Sequence, residues 1–518
     1  MKFILKLGTR RSLLAWAQSS WVAQEIEKHH PDLRVELVGI ETRGDRILDR
    51  SLQDIEGKEF FVAELDEALR LGKVDFTVHS MKDLSLERPP SFVCAAIPIR
   101  ANPRDVILFG PAVFARMKAG KTLKIGTSSP RRLENIPKFL ARALPHVSEK
   151  GPRKSEIQFL EIRGNVNTRL SRVHESEESP QYLDAVVLAF AGLIRLSADK
   201  RGQEELRFLL KGVRWMILPL SESPAAPGQG ALAIECRLED ERTQSFLKKL
   251  NHPETVYEVG LERQLLSDWG GGCHQRFGAT SIEAKELGRL LFIRGTKSDG
   301  EAVNELRWQV PPFKTAKINA WDGSLWKSKA TVDPNSAFNS RPKQETLAFF
   351  VAHSRALNGV PFQDFLEARV WTSGIASWYR LAEQGIWVEG CAEGLGFEFL
   401  QSTLQEKVLQ LPPLSEWMVF THEDATREWT IQGMQVCPTY VLAHSYTVEC
   451  KEALKSSNYV FWSSGSQFAG LKENLVEAVV HACGPGKTAA YLQQQGIMCV
   501  IFPSVQEWRK WIKQHQSI

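Results

Sequence analysis

Arginines recur at turns between predicted strands and predicted helices over the first two hundred residues. In chain order they are Arg10 before Ser12, Arg131 and Arg132 after Gly126-Thr-Ser-Ser-Pro130, and Arg163 and Arg169 around Gly-Asn-Val-Asn-Thr. Such turns present backbone N–H groups and the positive end of a helix to an anion, and the guanidinium fork matches a carboxylate or a phosphate. Solvated surface charge would explain one such pair, but three turns in succession favour a cleft that binds a polyanion.

A second group of ionisable residues follows a predicted strand. The segment His79-Ser-Met-Lys-Asp83 comes directly after the strand predicted over Asp75–Val78, at the carboxyl edge of a sheet, where open α/β folds bind their ligands. A carboxylate in that place, beside Lys82, can exchange protons with a substrate or stabilise a cation on it. A helix cap or a loop salt bridge explains an isolated Asp83 equally well, and the residues alone leave both interpretations open.

A glycine-rich turn, Gly270-Gly-Gly-Cys-His274, displays one cysteine without neighbouring side chains to shield its sulfur. A thiol presented in this way is a candidate nucleophile or attachment point. Cys94 and Cys236 lie inside apolar runs instead and are predicted to be buried core residues. The eight cysteines form no Cys-x-x-Cys pair and no Cys/His ligand spacing, so we expect neither a disulfide framework nor a bound metal.

The elements that must position these residues follow an alternating strand and helix pattern, which predicts an α/β multidomain protein. The pattern restarts after Asn102-Pro-Arg104, which predicts a second lobe. The Pro-rich segment Leu218–Gly230 is predicted to be a crossing, a segment in which the chain passes from one lobe to the other, and the strand after it is predicted to return to the first lobe. The predicted domains are a first lobe of residues 1–103 plus about 229–248, a second lobe of 104–228, a small α+β domain of 252–312, a linker of 313–345, and further α/β units over 346–518.

Length and composition exclude several classes of protein. A chain of 518 residues exceeds the size at which one core keeps growing, so several domains are expected. A hydrophobic fraction of 43% and a charged fraction of 24% are average for globular proteins, which excludes a disordered, fibrous or coiled-coil chain. A net charge of +4 is too small to indicate a nucleic-acid or membrane surface. No apolar segment approaches the length of a membrane span, and we expect a cytoplasmic protein.

Six motifs, in this order, resemble the porphobilinogen deaminase (hydroxymethylbilane synthase) family. They span about residues 3 to 310 and are Thr42-Arg-Gly-Asp45, His79-Ser-Met-Lys-Asp83, Gly126-Thr-Ser-Ser with Arg131-Arg132, Arg163-Gly-Asn-Val-Asn-Thr-Arg169, Gly228-Gln-Gly-Ala231 and Gly271-Gly-Cys273. The resemblance implies two periplasmic-binding-protein-like lobes followed by a small α+β domain. It also implies a dipyrromethane cofactor held through a thioether by Cys273, and the head-to-tail addition of four porphobilinogens with release of ammonia.

The resemblance also assigns roles to individual residues. Asp83 is expected to assist the loss of ammonia, to stabilise cations on the substrate and to help remove the ring α-proton. Because each porphobilinogen carries two carboxylates, the growing chain needs a row of cationic groups. Expected to hold the cofactor are Ser80, Lys82, Asp83, Ser128, Arg131, Arg132 and Arg163, and expected to hold the substrate are Arg10, Ser12, Lys58, Arg163, Arg169 and Arg195. The segment Arg46–Phe61, which includes Lys58, is expected to be a mobile lid.

The last part of the chain resembles the uroporphyrinogen-III synthase family over about residues 346 to 515. The phrases that carry this resemblance are Val370-Trp-Thr372 through Ala382-Glu-Gln-Gly385, Val419-Phe-Thr421, Tyr446-Thr-Val448, Phe461-Trp-Ser-Ser-Gly465 and Cys483-Gly-Pro-Gly-Lys-Thr-Ala489 through Gln495-Gly496. The resemblance implies a two-lobed α/β region that closes the linear tetrapyrrole with inversion of its last ring and without a metal. Tyr446 is then a catalytic candidate that helps to expel the hydroxyl group, and Thr488 is a substrate-binding candidate at a helix start.

The leading hypothesis is therefore a monomeric, bifunctional enzyme that converts porphobilinogen through hydroxymethylbilane to uroporphyrinogen III. A first alternative keeps the deaminase and makes residues 346–518 a docking or stabilising domain. A second alternative is a two-lobed anion-binding protein without catalysis, against which the cysteine on a triple-glycine turn argues. Nucleic-acid binding is favoured least, because the basic residues sit at turns without interleaved aromatic side chains.

Overall fold

The computed structural model describes residues 3–42, 62–147, 155–270, 275–312, 318–323, 327–332, 348–358, 365, 368–476 and 479–516. The chain forms two compact units, of which the first contains residues 1–306 except 142–146 and 282–290, and the second contains those two segments and residues 307–518. None of the helices in the described ranges is long and apolar enough to cross a membrane.

Strands and helices alternate along the described chain. The strands are β1 (Phe3–Arg10), β2 (Leu33–Ile40), β3 (Phe76–Ser80), β4 (Phe92–Ala96), β5 (Asp105–Phe109), β6 (Leu123–Gly126), β7 (Ile157–Leu160), β8 (Ala185–Ala189), β9 (Arg214–Ile217), β10 (Leu232–Arg237), β11 (Gly278–Ala284), β12 (Gly288–Thr296), β13 (Ala302–Trp308), β14 (Ala320–Trp321), β15 (Lys327–Val332), β16 (Ala348–Val351), β17 (Arg369–Thr372), β18 (Val388–Cys391), β19 (Trp417–His422), β20 (Gln435–Ser445), β21 (Tyr459–Trp462), β22 (Val480–Cys483) and β23 (Cys499–Ile501). The α-helices are α1 (Leu13–His29), α2 (Ala63–Arg70), α3 (Val113–Lys118), α4 (Pro130–Ala143), α5 (Val166–Ser171), α6 (Phe190–Ala198), α7 (Lys200–Leu209), α8 (Glu241–Leu247), α9 (Pro253–Asp268), α10 (Ile375–Glu383), α11 (Phe397–Leu404), α12 (Thr426–Ile431), α13 (Val448–Lys455), α14 (Gly465–Leu471), α15 (Lys487–Gln494) and α16 (Val505–Gln516).

The first lobe is a five-stranded sheet in the order β2-β1-β3-β10-β4. Strand β1 runs parallel to β2 and β3, whereas β10 runs antiparallel to both of its neighbours. Helix α1 contributes Val22 and Ile26, which are fully buried in one core with Leu7 and Phe76 of the sheet. The return of the chain to this lobe, predicted from the sequence, is confirmed by the pairing of β10.

The second lobe repeats the same arrangement with the order β7-β6-β8-β5-β9. Strand β6 runs parallel to β7 and β8, and β5 runs antiparallel to β8 and β9. In both sheets the fourth strand alone runs against the others. The chain passes between the lobes twice, from β4 to β5 and from β9 to β10, so the expected pair of periplasmic-binding-protein-like lobes is confirmed.

Glu262 is a fully buried carboxylate of α9 that joins the helix of the small domain to both crossings. Its Oε1 accepts hydrogen bonds from Arg100 Nη1 (2.6 Å) and the Ser281 N–H (2.6 Å), and its Oε2 accepts from Arg100 Nη2 (2.9 Å) and the Gly228 N–H (2.7 Å). Arg100 lies in the first crossing and Gly228 in the second. A buried charge is tolerated here because an opposite charge and two backbone donors compensate it.

The second unit contains two more sheets. A six-stranded sheet has the order β15-β20-β19-β16-β17-β18, and a four-stranded sheet has the order β14-β21-β22-β23. All pairings are parallel except that of β15 with β20. Helices connect most of the parallel strands, so the expected two-lobed α/β region is confirmed.

Two expectations from the sequence are corrected by these sheets. The linker predicted over 313–345 is wrong in part, since Ala320–Trp321 and Lys327–Val332 are strands at the edges of the two sheets. Each pairs with one neighbour only, and such edge strands need no strong apolar pattern. Cys94 is exposed rather than buried, because β4 is an edge strand that pairs with β10 only and leaves its other side uncovered by the sheet. Cys236 is buried, as predicted.

Replacing Glu262 with glutamine should destabilise the first unit by about 3 kcal/mol, since Arg100 then loses the carboxylate at 2.6 and 2.9 Å and keeps only the more distant Glu258 Oε2, 3.7 Å away, among the carboxylates described. Differential scanning calorimetry of the full chain measures this as a lowered Tm for one transition. The matched control is Glu254→Gln, at an exposed position in the first turn of the same helix. Equal Tm values for the two variants would contradict the central role of Glu262.

Candidate active site

Asp105, the first residue of β5, is a fully buried carboxylate that fixes two arginines. Arg131 Nη2 donates to Asp105 Oδ2 (2.7 Å), while Arg132 donates through Nη2 to Oδ1 (2.7 Å) and through Nε to Oδ2 (3.2 Å). Burial raises the pKa of Asp105, but the charges of both arginines outweigh it, and the pKa lies well below its ordinary range. Both arginines, in the first turn of α4, are thereby held in fixed orientations.

Gln229 links this ion cluster to the first lobe. Its Nε2 donates to Asp105 Oδ1 (2.9 Å), and its Oε1 accepts a hydrogen bond from Lys82 Nζ (3.4 Å). The flanking Gly228 and Gly230 have φ angles of +76° and +89°, which residues with a Cβ rarely adopt. The two glycines therefore shape the turn that aims Gln229 at Asp105.

Lys82 and Asp83 lie in a single 3₁₀ turn, Met81–Asp83, that directly follows β3. Burial lowers the pKa of Lys82, and the negative charge of Asp83 opposes this shift. Burial and the charge of Arg132 lower the pKa of Arg169 to about 10, and Asp83 again opposes the shift. Asp83, which is exposed, therefore shares one electrostatic environment with Lys82 of its own lobe and with Arg132 and Arg169 of the other lobe.

The remaining predicted arginines of the second lobe differ in how they are paired. Arg169 Nε donates to the Gly164 carbonyl (2.8 Å), and Arg195 Nη2 donates to the Gly230 carbonyl (2.5 Å). Burial lowers the pKa of Arg195 to about 10. Nε and Nη2 of Arg163 are buried and have no hydrogen-bond partner in the described part of the chain. Arg163 is thus a cation whose Nε and Nη2 are directed at no acceptor among the described residues.

Two predicted serines make contacts that shape the site. Ser12 caps α1, because its Oγ accepts a hydrogen bond from the Ala15 N–H (3.3 Å). Ser128 Oγ donates to the Ile162 carbonyl and accepts from the Ile162 N–H (3.2 Å). Ser128 therefore fixes the segment that leads into Arg163, and Ser12 fixes the helix that follows Arg10.

Ser80 and Arg10 stand at the ends of neighbouring strands. Ser80 is the last residue of β3 and pairs with Leu232 of β10, and Arg10 is the last residue of β1. Burial, followed by the charges of Arg88 and Arg10 among others, lowers the pKa of His79 to about 4. Arg10 therefore lies within electrostatic reach of the segment that carries Ser80, Lys82 and Asp83.

A buried ion cluster lies next to the end of β3, which leads into Ser80, Lys82 and Asp83. Asp66, His79 and Glu235 place three potential ligand atoms within 4.8 Å of one another. Arg88 fills the cluster, donating through Nη2 to Asp66 Oδ1 (2.7 Å) and through Nε and Nη2 to Glu235 Oε1 (2.9 Å) and Oε2 (2.6 Å). The guanidinium compensates both carboxylates, so the cluster has the composition of a structural ion network that joins β3 to β10 just before Ser80.

The two residues predicted in the second unit lie in or beside the lobe of the four-stranded sheet. Tyr446 follows β20, packs against that lobe's core and has its hydroxyl in the space that a Cβ at Gly470 would fill. Burial raises the pKa of Tyr446. Thr488 is in the first turn of α15, which follows β22. Both candidates thus stand where a strand gives way to a helix.

The two lobes of the second unit face each other through loops that follow their strands. Lys487 Nζ, on α15, lies 2.9 Å from Glu428 Oε2 and 3.8 Å from the ring centre of Trp429, both on α12. An ideal Cβ on Gly486 would lie 3.5 Å from the Cα of Gly396. Because α11, α12 and α15 follow parallel strands, the carboxyl edges of both sheets meet at this contact.

Some predicted site residues lie where the structure describes nothing, and two residues of the observed site were not predicted from the sequence. Lys58, Cys273 and the segment Arg46–Phe61, which was predicted to be a lid, lie outside the described residues. Asp105 and Gln229 were not predicted as site residues. The signals available were a carboxylate opening the wholly apolar run Val106–Phe109 and an amide between two glycines.

Comparison with known proteins adds the following similarities. A family model described as "Porphobilinogen deaminase, dipyromethane cofactor binding domain" matches residues 5–245. A porphobilinogen deaminase from Geobacter sulfurreducens is 37% identical over 304 residues, which are 58% of this chain and 85% of that protein. The corresponding enzyme from Geobacter metallireducens is 40% identical with the same coverage. A mutant uroporphyrinogen III synthase structure from Thermus thermophilus gives 14% identity, covers 37% of this chain and 87% of that one, and has a TM-score of 0.26, values that carry no weight for fold or function.

Asp105→Asn should lower kcat/KM for porphobilinogen, the substrate that the sequence resemblance implies, by about 100-fold, because it releases two arginines from fixed orientations. The matched control is Asp184→Asn, which removes another buried carboxylate of the same lobe, bonded to the Lys124 N–H and the Tyr182 hydroxyl. Both variants should lose stability, and only Asp105→Asn should lose turnover. Equal turnover losses at equal stability would show that Asp105 acts through folding alone.

Proposed function

Since this chain belongs to the porphobilinogen deaminase family, we propose that its active site is the cluster formed by Asp83, Lys82 and the arginines around Asp105. At this site four porphobilinogens are joined head to tail into hydroxymethylbilane, and one ammonia is released for each. The observation that carries the assignment is the shared environment of one exposed carboxylate and several buried guanidinium groups from the other lobe. We further propose that the enzyme acts as a monomer in the cytoplasm.

The family's dipyrromethane cofactor is attached covalently to a cysteine, and we propose Cys273 as that cysteine because of its glycine-rich turn. When bound, the cofactor supplies the pyrrole carbon to which the first substrate unit is joined. The described residues fit such a group. Its carboxylates need cationic donors. Arg163 offers Nε and Nη2, and Arg131 offers Nε. All three groups are buried and have no acceptor among the described residues. Each unsatisfied buried donor costs about 1–3 kcal/mol, which a bound carboxylate would offset.

Asp83 is the proposed catalytic residue. As an acid it can give a proton to the leaving amino group of porphobilinogen, and as a carboxylate it stabilises the positive charge that the loss of ammonia leaves on the substrate ring. It is also the group that can accept the ring proton once the new bond has formed. Lys82 and Arg169 lie close enough to interact with its charge, and they are proposed to hold substrate carboxylates so that the ring stays beside Asp83.

The binding-only alternative is disfavoured on two grounds. The relatives that match this chain over most of their length are enzymes by their names. A binder of polyanions also has no use for an exposed carboxylate placed among the cationic groups, because it repels the ligand. Asp83 therefore supports chemistry rather than simple binding.

Asp83→Asn should retain the fold and lower kcat by at least about 100-fold, because an amide neither transfers the proton nor balances the cation. Steady-state consumption of porphobilinogen measures kcat, and intact mass of the same sample shows whether the cofactor is loaded. The control is Asp268→Asn, an exposed carboxylate bonded to Gln264. Cys273→Ser should have the mass of the bare sequence. Near-normal turnover by a fully loaded Asp83→Asn variant would refute the assignment.

For the second unit we propose ring closure of hydroxymethylbilane to uroporphyrinogen III. The support is the sequence resemblance over 346–515 together with two α/β lobes whose loop edges meet at Gly486 and Lys487. Thr488 and the N–H groups at the start of α15 are proposed to bind carboxylates of the linear tetrapyrrole. Tyr446 is proposed to assist departure of the hydroxyl. The alternative, a docking or stabilising domain without catalysis, is separated from ring closure by the identity of the product.

The full chain supplied with porphobilinogen should yield mainly the type III isomer, because unassisted closure leaves the last ring uninverted and gives type I. Chromatography of the oxidised porphyrins measures the ratio. An Asp83→Asn chain supplied with preformed hydroxymethylbilane should still give type III, which separates the two activities. Thr488→Val and Tyr446→Phe should shift the ratio towards type I, the latter only slightly if its hydroxyl serves packing against Gly470. Predominantly type I product from intact chain would leave the second unit a non-catalytic domain.

A further inference from the structure

Arg172 resembles the predicted ligand-binding Arg163 in one unusual respect. Within the described ranges, both arginines bury a guanidinium N–H that has no hydrogen-bond partner, Nε in Arg172 and Nε with Nη2 in Arg163. Other arginines with such an atom, for example Arg88 and Arg369, place another nitrogen of the guanidinium group in an ion pair. No described carboxylate or side-chain acceptor takes a hydrogen bond from Arg163 or Arg172. The sequence did not single out Arg172.

The position of Arg172 continues the line of predicted arginines. It directly follows α5, whose last turn contains Arg169, and begins the 3₁₀ turn Arg172–His174. A spacing of three residues places two side chains on the same face of a helix. The positive charges of Arg172 and Arg163 both contribute to the lowered pKa of Arg169, so the three cations lie near one another.

An unpaired cation beside two others is unfavourable in the protein alone. Each of the three charges repels its neighbours, and a buried N–H without an acceptor forfeits the hydrogen bond that it makes with water when unfolded. A dianionic pyrrole unit relieves both terms, because each carboxylate brings a negative charge and two acceptor oxygens. Arg169 Nε has an internal acceptor in the Gly164 carbonyl. Nε of Arg172, the next arginine along the chain, has none among the described residues.

We propose that Arg172 is a further substrate-binding residue, one that holds a carboxylate of a pyrrole unit while the chain is elongated. The inference rests on the proposed deaminase function. Its consequence is specific to chain length, since a subsite used by one unit matters only when the growing product reaches it. Loss of Arg172 should therefore hinder one particular addition rather than loading of the cofactor or every addition equally.

The test follows the full chain, loaded with cofactor, as it reacts with limiting porphobilinogen. Intact mass spectrometry resolves covalent species that carry one to four added pyrrole units. Arg172→Gln should accumulate one of these species and raise the KM for porphobilinogen by about tenfold, as expected for loss of a charge-assisted hydrogen bond. Arg172→Lys, which keeps the charge, should restore most of the normal distribution. The matched control is Arg207→Gln, at an exposed position on α7 of the same lobe.

Each outcome decides the proposal. Accumulation of one species in Arg172→Gln, with rescue by lysine and a normal pattern in Arg207→Gln, supports it. A distribution and KM equal to those of Arg207→Gln would overturn it, as would a loss of stability with an unchanged ladder. If the unaltered chain adds no pyrrole units, the proposed function fails and this inference fails with it. The wild-type sample shows that result before any variant is compared.

Discussion

The site depends on one buried carboxylate, Asp105, whose two oxygens both accept hydrogen bonds from protein donors. Asp105 receives Arg131, Arg132 and Gln229, which come from the first turn of one helix and from the second crossing between lobes. A charge this deep in the protein is stable only while its partners stay in place, so the lobes, the crossing and the arginines constrain one another. Any arrangement that misplaced one partner would leave a buried charge uncompensated, so Arg131 and Arg132 are held in place before a ligand arrives.

One carboxylate does not neutralise all the cations gathered around it. Burial lowers the pKa of Arg169 and Arg195 to about 10 and also lowers that of Lys82, which indicates that the free protein holds these charges at a cost. The same cost favours a ligand with many carboxylates, because binding removes repulsion as well as forming hydrogen bonds. Asp83 is the exception in this field. Its negative charge opposes the binding of an anion, which fits the proposed role of Asp83 in proton transfer and cation stabilisation.

Features encoded by short-range sequence patterns could be predicted, whereas contacts between residues far apart in the chain could not. Strand and helix alternation, the arginine turns and the return of β10 were predictable from local periodicity and motifs. Asp105 and Glu262 were not, because their partners are far away in the chain: Gln229 is 124 residues from Asp105, and Arg100 is 162 residues from Glu262. Only the fold brings such buried carboxylates to their cations. The predictions of a linker over 313–345 and of a buried Cys94 were wrong for a related reason. The local apolarity of a segment does not reveal its place in a sheet.

The proposed order of the two activities along one chain follows from the chemistry of the intermediate. Hydroxymethylbilane closes without a catalyst once it is free in water, so ring inversion must compete with a spontaneous reaction that starts at release. Covalent linkage of two sites raises the effective concentration of the second one. It also fixes their ratio at one to one. An arginine row that binds its anionic product firmly delays release, and delay alone does not improve the yield of the inverted isomer. What improves it is capture after release, and capture requires the second unit to recognise the same carboxylates in a linear chain whose last ring is still free to turn.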